Sequence, residues 1–194
     1  MLVIIVGLFY SCSSENGNGK NLQSQAKSTQ SSSSTAVADG PCSDPAYGQM
    51  DFWVGEWSGR SMTPDTSYES GWKIGKIQNS ITKILDGCAV EGNFDGSMLD
   101  NPLIGKSSSV YNKREGIWHQ SWVDNTGGYL AFYGIFDDDT RRFRKDVARE
   151  GNDLILQITF YNIEKDSFTW DWERSVDEGE TWTLIWRIEY TRIM

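Results

Sequence analysis

The sequence predicts an all-β protein, an up-and-down antiparallel barrel of about ten strands, behind a lipoprotein signal and a disordered linker. Three observations predict it. Apolar residues recur with a period of two along most of the chain after Pro41, short turn signals separate these runs, and no amphipathic helix of ordinary length interrupts them. Aromatic residues make up 13% of the chain, and nine are tryptophans.

The alternation is plainest near the C-terminus. Trp182, Leu184, Trp186, Ile188 and Tyr190 interleave with Thr183, Arg187, Glu189 and Thr191. Phe168, Trp170 and Trp172 alternate with Thr169, Asp171 and Glu173. Leu154, Leu156, Ile158 and Phe160 form another such row, as do Trp118, Gln120 and Trp122 against Ile117, His119 and Val123. Turn signals fall at Asp86-Gly87, Asp95-Gly96, Asn125–Gly128, Asp137–Asp139, Glu150–Asn152 and Asp177–Gly179. Strands are expected near residues 56–62, 69–80, 83–94, 105–111, 116–124, 128–136, 141–149, 153–162, 166–175 and 181–192. Residues Ala46–Val54 form a short helix or turn that plugs one end. A meander of this size closes because closure removes exposed strand edges, and a barrel of this strand number typically encloses a cavity. A two-sheet sandwich is the alternative.

The segment before the domain carries an address. Leu2 to Tyr10 is apolar, Ser11 is small and Cys12 follows, the layout of a bacterial lipoprotein signal over residues 1–11. The run is too short for a bilayer, which needs roughly 20 residues. A start codon placed too late would account for the missing basic residue before Leu2. Residues 12–40 are rich in Ser, Asn and Gln and lack the apolar surface to offset chain entropy, so they are expected to act as a disordered tether. The domain is expected over 41–194. The protein is thus expected in the bacterial cell envelope, lipid-anchored at Cys12, with the membrane contacted through the anchor only.

Cleavage before Cys12 leaves Cys42 and Cys88, an even pair in an oxidising compartment, which favours a disulfide. Two separate buried thiols are the alternative. The formal net charge of −9 disfavours nucleic acid as a partner.

Several blocks resemble a family of secreted bacterial proteins of unknown function that open on an "FDFWVGEW" motif. They are Met50-Asp51-Phe52-Trp53-Val54-Gly55-Glu56-Trp57, Asp86-Gly87-Cys88, Gly105-Lys106-Ser107, Trp118–Asp124 and Ser175–Trp182, which together span nearly all of residues 42–192. The resemblance implies a lipocalin-like or nitrobindin-like barrel and supplies no activity. The chain departs from that family at Trp170, where relatives tend to have Gln, and at Trp186-Arg187, where they tend to have Asp-Gly. A smaller, more aromatic lumen is therefore expected. Nitrobindins hold haem through a late histidine, and this chain has one histidine, His119, on a middle strand. Haem is therefore not carried over, and no cofactor is expected.

Ser175-Val176-Asp177-Glu178-Gly179-Glu180-Thr181-Trp182 fits the Asp-box pattern S-x-D-x-G-x-T-W. An Asp carboxylate there accepts turn N–H groups, Gly allows positive φ, and Trp packs beneath the loop. One copy stabilises a hairpin and says nothing of glycosidase chemistry. With one His and two cysteines expected to be oxidised, a transition-metal site lacks ligands. Asp137–Asp139 lacks the spacing of a calcium loop and is expected at a hairpin tip.

The candidate site is the barrel lumen, lined by Trp57, Glu91, Asn93, Trp118, Gln120, Trp122 and Trp172, with Arg174 or Arg187 as partners for Glu91. Gln120 between two indoles would orient a ligand, and Glu91 would be its charged companion. Orientation is the critical step, because a slip of one residue turns a whole row outward. The size of Trp118 and Trp122 argues for their facing inward, with His119 outward. The expected ligand is a small apolar or amphiphilic molecule. A tryptophan-rich core serving a structural or interaction module is the alternative, and an enzyme using a lumenal carboxylate as general acid/base is a third possibility.

Overall fold

A computed structural model describes residues 40–137, 139–148 and 154–194 of the chain. The expected signal, the expected lipidation site Cys12, nearly all of the expected tether and the expected Glu150–Asn152 turn lie outside the described residues. The fold is a closed antiparallel barrel of ten strands: β1 Gly55–Pro64, β2 Trp72–Ile84, β3 Ala89–Gly96, β4 Leu103–Asn112, β5 Ile117–Asp124, β6 Tyr129–Phe136, β7 Arg141–Val147, β8 Leu154–Tyr161, β9 Ser167–Ser175 and β10 Thr183–Arg192. Each strand pairs with the next, and β1 pairs with β10, Gly59 opposite Tyr190, to complete the ring. Closure leaves no free sheet edge.

Most strands fall within a residue or two of their expected positions. The β2–β3 hairpin differs. Strand β2 runs on to Ile84, and the chain reverses at Leu85-Asp86-Gly87, where Leu85 (φ 54°) and Asp86 (φ 55°) take left-handed backbone. The Asp86-Gly87 signal marked this turn, whereas the expected strand limits put the break several residues too early.

Two short 3₁₀ segments, Pro45–Gly48 and Asp51–Trp53, plug one end of the barrel. Pro45 supplies a helical φ at the first position, and Asp44 Oδ1 caps the segment by accepting from Ala46 N at 3.1 Å. The plug carries Met50 and Trp53 into the core, and Trp57 Nε1 donates to Trp53 O at 2.7 Å. Around it lies an aromatic cluster. Phe168 stacks on Tyr190 with centroids 4.5 Å apart, Trp57 meets Phe168 edge-on at 4.8 Å, and Trp53 meets Phe160 at 5.2 Å. Fully burying each such side chain contributes about 1.5–3 kcal/mol, and aromatic pairs add about 0.5–1.5 kcal/mol.

Cys42 and Cys88 form a disulfide with Cα atoms 5.1 Å apart, tying the segment before the plug to the start of β3. The bond closes a loop of 46 residues. In the chain-entropy picture this contributes about 4 kcal/mol.

Two local departures from regular alternation set which side chains reach the lumen. On β10 a bulge falls between Leu184 and Trp186, so Leu184 opposes Glu173 while Trp186 opposes Trp172. The bulge breaks the row expected from Trp182 through Tyr190: Trp186, Ile188 and Tyr190 face inward, and Leu184 shares the outer face with Glu173. On β3 the inward row is Val90, Gly92, Phe94 and Gly96. Glu91 and Asn93 point outward, which corrects their expected placement. Ala89 is buried on the outer-facing row with Glu91 and Asn93, whereas the interior positions at 92 and 96 are glycines and carry no apolar mark.

The outer wall over β8–β10 is held by a polar network rather than by apolar cover. Arg187 donates twice to the Asp171 carboxylate, at 2.8 and 2.7 Å, and Tyr161 OH donates to the same group at 3.0 Å. Asp171 raises the pKa of Arg187, and burial beside that carboxylate pushes the Tyr161 hydroxyl up to about 12. Arg187 is therefore committed to Asp171 and does not serve Glu91.

Candidate functional site

Above the plugged half the barrel opens into a cavity of about 320 Å³, at the small end of the range for ligand sites. Its floor is formed by Trp53, Asn79 and Ser107, and its walls by aromatic and aliphatic side chains from β3–β6 and β8–β10. Trp122, Trp170, Trp172 and Trp186 contribute four indoles, with Phe94, Phe132, Leu130, Ile158, Ile185 and Ile188 between them. The indoles brace one another and their neighbours edge-on: Trp170 meets Trp186 at 5.4 Å, Phe94 meets Trp122 at 5.8 Å and Phe132 meets Trp172 at 6.0 Å.

Strand β5 has the orientation that indole size demanded. Trp118 is 2% exposed, whereas the His119 side chain is 42% exposed and pairs with Glu115 at 2.7 Å. Gln120 and Trp122 line the cavity, as does Trp172 from β9. Trp118 faces inward but lies in the plugged half, where its Nε1 donates to Gln49 Oε1 at 2.9 Å. Trp57 is likewise fully buried beneath the cavity and does not line it. Glu91 lies on the outer surface 3.8 Å from Lys106, and Asn93 donates to it there. The structure therefore brings Gln120, Trp122 and Trp172 together and separates Trp57, Glu91, Asn93 and Trp118 from them.

Gln120 does not present its amide freely, since Nε2 donates to Ser109 Oγ at 2.9 Å. Asn79 contributes a polar group that the sequence reading missed. It sits between Ile77 and Ile81 on the inward row of β2, and a polar residue breaking an apolar row was a legible signal. Its Nδ2 contacts Tyr190 OH at 3.4 Å, while Oδ1 has no partner. Burial raises the pKa of Tyr190 far above the usual phenol range, so its hydroxyl stays protonated. Trp53 Nε1 is the other buried side-chain atom without a partner among the described residues. Trp170 and Trp186 extended rows already evident in the sequence, whereas Ile185 reaches the cavity only because of the bulge.

One carboxylate borders the cavity. Asp124 accepts from Thr126 Oγ1 and N, from Trp122 Nε1 at 2.8 Å and from Gly128 N at 3.0 Å. The bonds from Thr126 and Trp122 hold its pKa at about 2 against an ordinary 3.8. It is thus a structural anion that orients the Trp122 indole. The cavity adjoins a second, smaller space of about 240 Å³ on the far side of Trp186. A bond of 2.7 Å from Trp186 Nε1 to Ser61 Oγ fixes the indole that both share.

Other motifs fold as local supports. In the β9–β10 hairpin Asp177 accepts from Ser175 Oγ, Thr181 N and Thr181 Oγ1, Gly179 takes φ 93°, and Trp182 Nε1 donates to Gly179 O at 3.1 Å. That is the Asp-box turn expected from the sequence. Asp137 ties the β6–β7 hairpin through Thr140 and Arg142. Among the described residues no group of three or more His, Cys, Asp or Glu could hold a metal ion, and no helix is long and apolar enough to cross a membrane.

Neither the known protein families nor the curated proteins yield a match to this chain.

Proposed function

We propose that the protein is a ligand-binding barrel of the bacterial cell envelope, tethered through lipid on Cys12, that holds a small apolar or amphiphilic molecule in its lumen. The observation that supports this most strongly is the character of the cavity wall. Four indoles surround a space large enough for a small molecule, and a few polar groups sit at its floor, the composition usual in ligand sites. A purely structural core would be expected to close over that space, since unfilled volume forfeits packing contacts. Use of Asp124 as a general acid/base at neutral pH is disfavoured, because a carboxyl with a pKa near 2 is poorly matched to that task.

The tether belongs to the proposal. It is supported by the apolar run ending at Cys12 and by the Ser/Asn/Gln-rich stretch behind it. Membership of the family with the "FDFWVGEW" opening is proposed on the same footing, from Phe52–Trp57 and Trp118–Asp124. Native mass spectrometry of the full protein purified from its host tests the binding function. A retained small mass, lost on denaturation, is the expected result. An unliganded barrel that also fails to bind an apolar fluorophore would refute it. Labelling with a palmitate analogue, abolished by Cys12→Ser, tests the tether.

A further inference from the structure

We propose that the cavity takes a neutral ring compound bearing a hydroxyl group, which enters hydroxyl first and pairs with Trp53 and Asn79. The proposal rests on the binding function argued above and specifies the chemistry of the ligand.

Two buried polar atoms carry it. Trp53 Nε1 and Asn79 Oδ1 lack hydrogen-bond partners, and both residues line the cavity while being 5% exposed. Buried groups in folded proteins are nearly always paired, because an unpaired one loses its bonds to water without replacement. Here one orphan is a donor and the other an acceptor. The two residues belong to one sector of the barrel. Asn79 is two residues before Ile81 on the inward row of β2, Ile81 pairs with Gly92, and a Cβ built at Gly92 would meet both Ile81 and, at 3.5 Å, the Cη2 edge of the Trp53 ring.

A hydroxyl both accepts from an indole N–H and donates to an amide oxygen. A carbonyl would leave Asn79 Oδ1 unpaired, and a methyl group would leave both atoms unpaired. A carboxylate is disfavoured for a different reason. No Lys, Arg or His is among the residues lining the cavity, and the charged one is Asp124. An anionic headgroup would lose its hydration without gaining a counter-charge. The ring body follows from the walls, since Trp122, Trp172, Trp186 and Phe132 present aromatic surface that suits flat partners.

Calorimetry of the full chain with 2-naphthol, naphthalene and 2-naphthoate tests the inference, because the three share a ring and differ in the group offered. The expected order is 2-naphthol about ten-fold or more tighter than naphthalene, with 2-naphthoate weakest. Asn79→Leu should bring 2-naphthol close to the affinity of naphthalene and leave naphthalene itself unchanged. Trp53→Phe keeps a smaller aromatic ring at that position and removes the N–H, so it should weaken 2-naphthol more than naphthalene, and it carries the comparison if the Asn79 variant does not fold. Equal binding of 2-naphthol and naphthalene would overturn the hydroxyl pairing while leaving the binding barrel intact. Tightest binding by 2-naphthoate would overturn neutrality. A preference for 2-naphthol that survives both substitutions would overturn the assignment to Trp53 and Asn79. No binding of any probe would overturn the inference, while the binding function is decided separately by native mass spectrometry and fluorophore uptake.

Discussion

The guanidinium carbon of Arg192 lies 4.1 Å from the centroid of the Trp57 indole, at the plugged end of the barrel. The same guanidinium donates to Val54 O at 2.8 Å, Phe52 O at 3.2 Å and Lys165 O at 3.0 Å. One side chain at the end of the last strand thus fastens the plug, the first strand and the loop before β9. The geometry leaves no room for a side chain at position 55: Gly55 has φ 133°, and a Cβ there would collide with Arg192.

Arg192→Ala is expected to lower unfolding free energy by about 2–4 kcal/mol, through loss of the cation–π contact and of carbonyl partners for three hydrogen bonds. Arg192→Lys should fall between, because an ammonium keeps the charge and loses the planar fork. Urea denaturation measures both. A loss under about 0.5 kcal/mol for Arg192→Ala would place it with ordinary surface changes and refute its role as a latch.

Reduction of the Cys42–Cys88 bond, or the double change Cys42→Ser with Cys88→Ser, should destabilise the fold by about 4 kcal/mol, less any residual structure in the reduced unfolded chain. Thermal unfolding with and without reductant provides the check. An unchanged melting temperature would show that the plug is held by packing alone.

Gly105→Ala is expected to alter the cavity from outside its floor. A Cβ at Gly105 would run into the Trp122 indole, and displacing that ring breaks its 2.8 Å bond to Asp124. Destabilisation of about 1–3 kcal/mol is expected for such overpacking, with weaker uptake of an apolar fluorophore. Unchanged uptake would mean that Trp122 is not part of the binding wall.

Acid should loosen the hairpins. Asp124, Asp137 and Asp177 all have folded pKa values of about 2, below an ordinary 3.8, chiefly from hydroxyl bonds of Thr126, Thr140 and Ser175 respectively. The folded state therefore binds fewer protons than the unfolded one in this window. Their contribution is present above about pH 4 and is lost as pH falls towards 2. Asp124→Asn should flatten the decline in melting temperature between these limits, and an identical slope in the variant would exclude Asp124 as a contributor.

Glu91→Gln should change little. Its carboxylate faces solvent beside Lys106, and exposed ion pairs contribute about 0–1 kcal/mol. Probe affinity is expected to stay at the wild-type value. A marked loss would place Glu91 in the site after all.

The strand rows were legible in the sequence because burial on one face of a strand writes itself as alternation. Trp118, Gln120 and Trp122 were assigned inward from side-chain size alone, and the structure has them inward. The row through Glu91 was misassigned because Gly92 and Gly96, which face inward, mark neither face. Asn79 stands between two isoleucines on the inward row of β2, and a polar residue on an apolar row does not by itself announce a cavity.

Composition and period two, by themselves, determined the class: an all-β meander long enough to close, two cysteines suited to one disulfide, and an Asp-box hairpin built from contiguous residues. These are local matters, set by neighbours in the chain. The tertiary structure alone decided where the plug stops and the cavity begins, and so why Trp57 and Trp118 pack below it while Trp122 and Trp172 line it. It also decided that a one-residue bulge on β10 turns Leu184 outward and brings Ile185 to the cavity wall. Depth along a barrel axis depends on strand stagger and on what fills the end, and neither leaves a mark in the alternation of a single strand.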